Sequence, residues 1–353
     1  MTLRDEVFAA LERVIDPELR RPITDLDMVR GVEIDGGAVA VTIALTVVGC
    51  PLRSSFQDQV REHVGSLPGV TSTEVRFDVM TPDERAALTT KLRGGDDQRG
   101  IQLPATTRVI AVASGKGGVG KSSLTVNIAA ALAASGHEVG VLDADIYGHS
   151  VPYMLGVNQR PVAVDRMIVP PIGHGMKLMS IGFFLDENEP VMWRGPMLHR
   201  ALEQFLQDVH WGEVDVLLVD MPPGTGDVSI SLGQLLPRAE AVVVTTPQPL
   251  AQEVAARAAA MAQKTGMRLV GVVENMSSDV FGFGGGDRLA EQLRVPLLGR
   301  VPLDARVRAS ADEGMPIVLA DPGSKPAVEI RRIADAIDAS RAGGFTRTLP
   351  LVS

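Results

Sequence analysis

The segment Gly115-Lys116-Gly117-Gly118-Val119-Gly120-Lys121-Ser122 constrains this chain more than any other feature, because it can only be a tight loop lined with backbone amides. It fits the phosphate-loop pattern of Gly, four residues, Gly-Lys-Ser. Its context is the one that pattern requires. Residues 109–113 are a short apolar run of strand length, and residues 123–134 are Ala-, Leu- and Val-rich, long enough for a helix, and closed by Gly136. Glycines let the main chain wrap an anion with its N–H groups inward, and the helix that follows presents its positive end. Gly115, Lys116, Gly117, Gly118, Val119, Gly120, Lys121, Ser122 and Ser123 are therefore the expected nucleotide contacts. Lys121 is expected along the β/γ-phosphates and the Ser122 hydroxyl on Mg²⁺. A Gly-rich turn that merely contains lysines is the competing reading, and the flanking strand and helix weigh against it.

After the loop, apolar runs recur at 139–142, 178–181, 214–219, 241–245 and 269–273, with helical stretches between them. Such runs are strands covered on both faces, and their alternation with helices predicts a doubly wound, mainly parallel α/β sheet. Ligands then sit beyond the carboxyl ends of the strands. Asp143, Asp220 and Thr246 stand at those ends, on the same rim as the loop. Before the loop lies a smaller α/β pattern. Residues 3–14 space Leu3, Val7, Leu11 and Val14 helically, Asp35-Gly36-Gly37 separates two strand candidates, 52–66 reads as a helix, and 72–77 alternates as a half-buried strand. The expected division is a small domain at 1–92, a polar linker at 93–107, a nucleotide domain at 108–342 and a tail at 343–353.

The rim carries the chemistry. Leu217-Leu218-Val219-Asp220 is an apolar strand ending in a carboxylate, suited to hold Mg²⁺ opposite Ser122. A helix cap is the plainer alternative. Gly224, in the Pro222-Pro223-Gly224-Thr225-Gly226-Asp227 run, is placed to bring an N–H near the γ-phosphate. Asp143 and Asp145 follow another strand, and two carboxylates beside a triphosphate need a compensating cation. Asp145 is the candidate for orienting the attacking water; Asp143 either holds metal-bound water or fixes the loop. A capped helix start is the plainer alternative for each. Lys116 is a second cation inside the loop, positioned to neutralise charge on the transferred phosphoryl group.

The loop with its extra lysine resembles the deviant phosphate loop of the MinD/ParA/nitrogenase-iron-protein group, in which that lysine reaches the partner subunit's nucleotide. Asp143-Ala144-Asp145-Ile146-Tyr147-Gly148, Met192-Trp193-Arg194-Gly195-Pro196-Met197, Asp220 to Asp227, Thr245-Thr246-Pro247-Gln248 and Glu274-Asn275-Met276-Ser277 narrow the resemblance to the Mrp/NBP35 (ApbC) iron–sulfur cluster carriers. Ile15-Asp16-Pro17-Glu18-Leu19, Thr46-Val47-Val48-Gly49-Cys50-Pro51 and Val79-Met80-Thr81-Pro82 resemble the MIP18-type (DUF59) domain. The resemblance implies a homodimeric ATPase that is slow, coupled to its partners and delivers clusters to apo iron–sulfur proteins alongside cluster-assembly proteins. It also places Asn275 on adenine, which favours ATP as the nucleotide; on its own residue context Asn275 is equally a turn residue.

One departure stands out. Family members usually carry a Cys-x-x-Cys pair after the Glu-Asn-Met-Ser segment, whereas this chain reads Ser277-Ser278-Asp279-Val280-Phe281-Gly282-Phe283. A bridging cluster held by four thiolates cannot form there. Cys50 is the sole cysteine, and it is either one cluster ligand per subunit or a buried small residue. A single cysteine also excludes an internal disulfide and fits a reducing cytosol. The net charge of −9 without a basic run disfavours nucleic acid. The first residues lack the apolar core of a signal peptide, and no apolar run reaches membrane-span length. Cytoplasmic location is the expectation. Two other classes remain: a MinD/ParA-like switch without cargo, and a kinase or synthetase acting on a small acceptor.

Overall fold

Among the described residues, the six apolar runs and two stretches the pattern does not single out, Leu297–Pro302 and Ile172–Gly173, enter one eight-stranded sheet. In spatial order the strands are Leu297–Pro302, Arg268–Ser277, Glu240–Thr245, Arg108–Ser114, Val216–Asp220, Val139–Asp143, Met176–Ser180 and Ile172–Gly173. All neighbours are parallel except the last pair, which is antiparallel. The strand Leu297–Pro302 escapes an apolar-run search because Gly299 and Arg300 interrupt it. The chain is described here from a computed structural model over residues 2–47, 52–92, 101, 103–145, 148–185, 195–236 and 238–340.

These residues form two units, and the sheet belongs to the second, which runs over 103–160, 172–206 and from 213 onward. Its core is built around the helix Lys121–Ala134, which follows the phosphate loop. Leu124, Val126, Ile128 and Leu132 on this helix are all buried, since the sheet lies on one side and the helix Lys325–Ala339 on another. A helix apolar all round is what such double covering demands. At about 1.5–3 kcal/mol for each fully buried aliphatic side chain, these contacts anchor the helix far more firmly than its intrinsic propensity does.

Register decides what meets at the rim. Asp220 pairs with Asp143 across one strand boundary, and Asp143 with Ser180 across the next. On the other side, Asp220 stands against Val112 of the central strand. Three polar residues distant in sequence therefore form one row at the carboxyl ends.

The first unit takes in residues up to 102 together with 161–171 and 207–212. Helix Leu3–Leu11 opens with a capping box, in which the Thr2 hydroxyl accepts from the Asp5 N–H and the Asp5 carboxylate accepts from the Thr2 N–H. The antiparallel strands Val29–Asp35 and Ala38–Leu45 join through Gly36 and Gly37, with φ of 52° and 100°. Positive φ at both central residues is the two-residue turn whose twist suits a hairpin. Ser72–Val79 then adds parallel to Ala38–Leu45. Helix Arg53–His63 buries Phe56 and Val60, and helix Pro82–Leu92 follows Ser72–Val79. A second hairpin, Val162–Val164 with Met167–Val169, contributes Val164, Met167 and Val169 to this core, and the Thr89 hydroxyl donates to the Val164 carbonyl (3.2 Å). Cys50, the linker residues 93–100, the 343–353 tail, Ile146-Tyr147 and Met192-Trp193-Arg194 lie outside the described residues.

Candidate nucleotide site

The loop leaves the central strand at Ser114, whose hydroxyl donates to the Lys116 carbonyl (3.1 Å). Two of its glycines are required by conformation, with φ of 77° at Gly118 and 79° at Gly120. Gly115 is required by space: a Cβ there would lie 2.1 Å from the Val254 carbonyl carbon, on the helix Pro249–Lys264. Gly117 has open space around its Cα and Val119 is buried. Gly120 is the N-cap of the helix that begins at Lys121, so free N–H groups and the helix dipole converge on the cradle.

Asp220 is the hub. Its Oδ2 accepts the Ser122 hydroxyl (2.6 Å), and its Oδ1 accepts the Thr125 hydroxyl (2.8 Å) and pairs with Lys121 Nζ (2.7 Å). Lys121 is only 6 % exposed, and its ammonium also lies 3.7 Å from Asp145 Oδ2 and 3.2 Å from Ser122 Oγ. Asp145 is buried as well, and its Oδ1 accepts the Gly148 N–H (3.1 Å). Asp143 accepts the Asp145 N–H on Oδ1 (3.2 Å) and the Ser180 hydroxyl on Oδ2 (3.0 Å). Burial and then the charge of Asp220 push the Asp143 carboxyl up to about 7, against the bonds from Ser180 and the Asp145 N–H and the charge of Lys121. Three buried carboxylates thus share one ammonium. Hard oxygens from Ser122 and Asp220, set beside an amide-lined cradle, suit Mg²⁺ with a phosphate chain.

The structure separates the two loop lysines. Lys116 is half-buried, and its ammonium makes no ion pair or hydrogen bond among the described residues. Ser123 sits on the first turn, where its carbonyl accepts from Asn127 Nδ2 (2.9 Å). Asn275 closes the cradle from the strand Arg268–Ser277, two positions away in the sheet: its Nδ2 donates to the Val119 carbonyl (2.8 Å), and a Cβ on Gly120 would lie 2.3 Å from that nitrogen. The Gly224 N–H is directed elsewhere in this conformation, donating to the Ser114 carbonyl (2.8 Å).

Residues that sequence patterns leave unmarked complete the site. Thr125 stands one helical turn after Lys121, a spacing that places both on one face. Ser180 is brought in by strand register alone. Glu274, wholly buried, accepts the Ser277 hydroxyl (2.7 Å) and the Gly284 (3.2 Å) and Gly286 (2.5 Å) N–H groups, so it caps the helix Gly285–Leu293. That carboxylate also shapes the segment that lacks the cysteine pair. Ser278 and Gly282 bond reciprocally through their backbones, leaving Val280 79 % and Phe283 60 % exposed. Among the described residues no group of three or more His, Cys, Asp or Glu side chains is arranged to hold a metal ion, and no helix is long and apolar enough to cross a membrane.

Comparisons with known proteins bear on the family and the fold. A family model described as NUBPL iron-transfer P-loop NTPase matches residues 105–338, and one described as iron-sulfur cluster assembly protein matches residues 4–77. A protein of Mycobacterium leprae named iron-sulfur cluster carrier protein is 52% identical over 356 residues, covering 95% of this chain and 92% of that one. The protein of that name from Synechocystis is 42% identical over 353 residues, with 96% and 97% covered. Among solved structures, a nucleotide-binding protein of Archaeoglobus fulgidus in complex with ADP matches with a TM-score of 0.53 and 35% identity, covering 59% of this chain and 87% of that chain. The septum site-determining protein MinD of Pyrococcus horikoshii with Mg-ADP, at TM-score 0.52 and 24% identity over 66% of this chain and 96% of its own, shares the fold.

Proposed function

The chain belongs to the NUBPL iron-transfer P-loop NTPase family, and from that premise we propose that it is an ATP-hydrolysing carrier that delivers iron–sulfur clusters to apoproteins. The observation that carries the nucleotide half is the gathering of Lys121, Ser122 and Thr125 on one buried carboxylate, Asp220, at the mouth of the glycine cradle. Lys121 and Ser122 are the groups that turn to the phosphates and to Mg²⁺. Ser122 and Asp220 would hold Mg²⁺, which would supply charge neutralisation to the phosphate chain. Asp145 orients the attacking water once Lys121 no longer faces it, and Lys116 neutralises the phosphoryl charge of a second copy's nucleotide. Asn275 exchanges the Val119 carbonyl for the adenine.

The cluster is cargo, and its ligands are the open chemistry. With one cysteine per chain, a homodimer offers two thiolates from Cys50, and the client or a small thiol completes the set. We assign residues 1–92 to the MIP18-like domain, 93–107 to a linker, 108–342 to the ATPase and 343–353 to a tail. The protein acts as a cytoplasmic homodimer with apo iron–sulfur and cluster-assembly proteins as partners, and without nucleic acid or membrane. Iron, sulfide and ATP-turnover analysis of protein purified without oxygen tests this. Stoichiometric iron and sulfide in the wild type and their loss in Cys50→Ser are expected. ATP turnover with no iron in either would leave the second reading, a cargo-free MinD/ParA-like switch, which the thiolate-free 277–284 segment with its exposed Val280 and Phe283 favours.

A further inference from the structure

We infer that Thr125 is the positioning residue that holds the Asp220 carboxylate in its metal-binding orientation throughout the nucleotide cycle. The inference rests on the reading of Ser122 and Asp220 as the Mg²⁺ ligands. Among the described residues Asp220 has three side-chain donors: Ser122 on Oδ2, Lys121 and Thr125 on Oδ1. Two of them, Lys121 and Ser122, are the groups that a phosphate loop commits to its nucleotide and metal. When both turn away, Thr125 is the donor of the three that stays.

Its placement suits that task. Thr125 is wholly buried on the helix Lys121–Ala134, inside the core rather than in the loop, so its hydroxyl does not travel with the phosphate cradle. A helical threonine has two favoured χ1 rotamers, and the one adopted here sets its hydroxyl against both the Lys121 carbonyl and Asp220. That hydroxyl has one proton and two nearby acceptors, the Lys121 carbonyl at 3.0 Å and Asp220 Oδ1 at 2.8 Å. Hydrogen bonds to a charged acceptor are the stronger, so the proton goes to the carboxylate. With Oδ1 pinned from below and the Asp220 carbonyl held by the Ala144 N–H (3.0 Å), Oδ2 is turned toward Ser122 and the cradle. A helical threonine bonded only to the carbonyl four residues back would have no such effect on the metal, and this difference is measurable.

The test compares variants of the whole chain that differ by the hydroxyl: wild type with Thr125→Val, and Thr125→Ser with Thr125→Ala. Binding of a fluorescent ATP analogue is followed while Mg²⁺ is titrated, with an EDTA-treated arm, and Mn²⁺ uptake is read by electron paramagnetic resonance. Thr125→Val and Thr125→Ala should need about tenfold more Mg²⁺ or Mn²⁺ for half-saturation, the worth of one charge-assisted hydrogen bond. Their nucleotide affinity in EDTA should equal that of their hydroxyl-bearing counterparts, and Thr125→Ser should keep the wild-type metal requirement. The second pair keeps the test decisive if valine prevents folding. Metal requirements within twofold across each pair would overturn the inference while the wild type still showed Mg²⁺-dependent binding. Wild-type binding indifferent to Mg²⁺ would instead remove the Ser122–Asp220 metal site on which the inference stands.

Discussion

Replacing Lys121 by methionine tests the electrostatics of the site directly. The substitution keeps the length and apolar stem of the side chain while deleting the ammonium that, among the described residues, Asp143, Asp145 and Asp220 share. In the structure that ammonium lies 2.7 Å from Asp220 and 3.7 Å from Asp145, with Lys121 and Asp220 both buried. Removing one partner of a buried ion pair costs about 3–5 kcal/mol. Asp220 would retain the hydroxyl bonds from Ser122 and Thr125, which places the expected loss near the lower end, about 3 kcal/mol. The loss should deepen as pH rises from about 6 to 8. Burial and the charge of Asp220 already raise the Asp143 carboxyl to about 7 against the charge of Lys121. Without the lysine, native Asp143 keeps to still higher pH a proton that the unfolded chain has released, which makes stability fall with pH. The companion variant Lys121→Met/Asp220→Asn removes the uncompensated charge and should recover most of the stability without recovering ATP binding. Native-state hydrogen exchange at the amides of Arg108–Ser114 and Val216–Asp220 reads the stability, and a filter assay reads the nucleotide. A loss below about 1 kcal/mol, or a double variant no more stable than the single one, would refute the claim that Lys121 neutralises this cluster.

Lys116→Ala should change stability by less than about 0.5 kcal/mol, since its ammonium has no partner among the described residues. Nucleotide affinity should hold while ATP turnover falls by roughly three orders of magnitude; an unchanged rate in a single-turnover assay removes Lys116 from the chemistry. In the first unit, burial and the neighbouring Asp16 push the Glu18 carboxyl up from 4.5 to about 7. The native state then keeps a proton that the unfolded chain has lost. The stability of that unit therefore declines between pH 4.5 and about 7, at up to about 1.4 kcal/mol per pH unit. Glu18→Gln should flatten this decline and make the unit more stable than wild type at pH 8. Exchange protection of the strands Val29–Asp35 and Ala38–Leu45, corrected for intrinsic rate, measures it, and an unaltered pH slope would contradict it.

Much of this architecture is legible in the chain because its signals are local. Apolar runs of strand length locate six of the parallel strands, since strands buried on both faces need no polar alternation. The Asp35-Gly36-Gly37 turn announces its hairpin, because both glycines must take positive φ. What escapes is nonlocal. The strand Leu297–Pro302 carries Gly299 because a Cβ there would lie 2.6 Å from the Ile333 side chain, a helix away in sequence. Ser180 and Thr125 look like ordinary hydroxyl residues until strand register and a helical turn bring them to Asp143 and Asp220.

By itself the sequence determined that a glycine-rich loop with two lysines and a serine stands between an apolar run of strand length and an apolar stretch of helix length, because those signals are local. It determined equally that the two thiolates of the family's Cys-x-x-Cys pair are missing from the 277–284 segment. Only the tertiary structure decided how charge is balanced. Parallel register sets Asp220 beside Asp143 and Asp143 beside Ser180, and the helix swings Lys121 back over all three carboxylates. The physical reason is that Coulomb energy depends on separation in space and on burial, and neither is written in the spacing of residues along the chain.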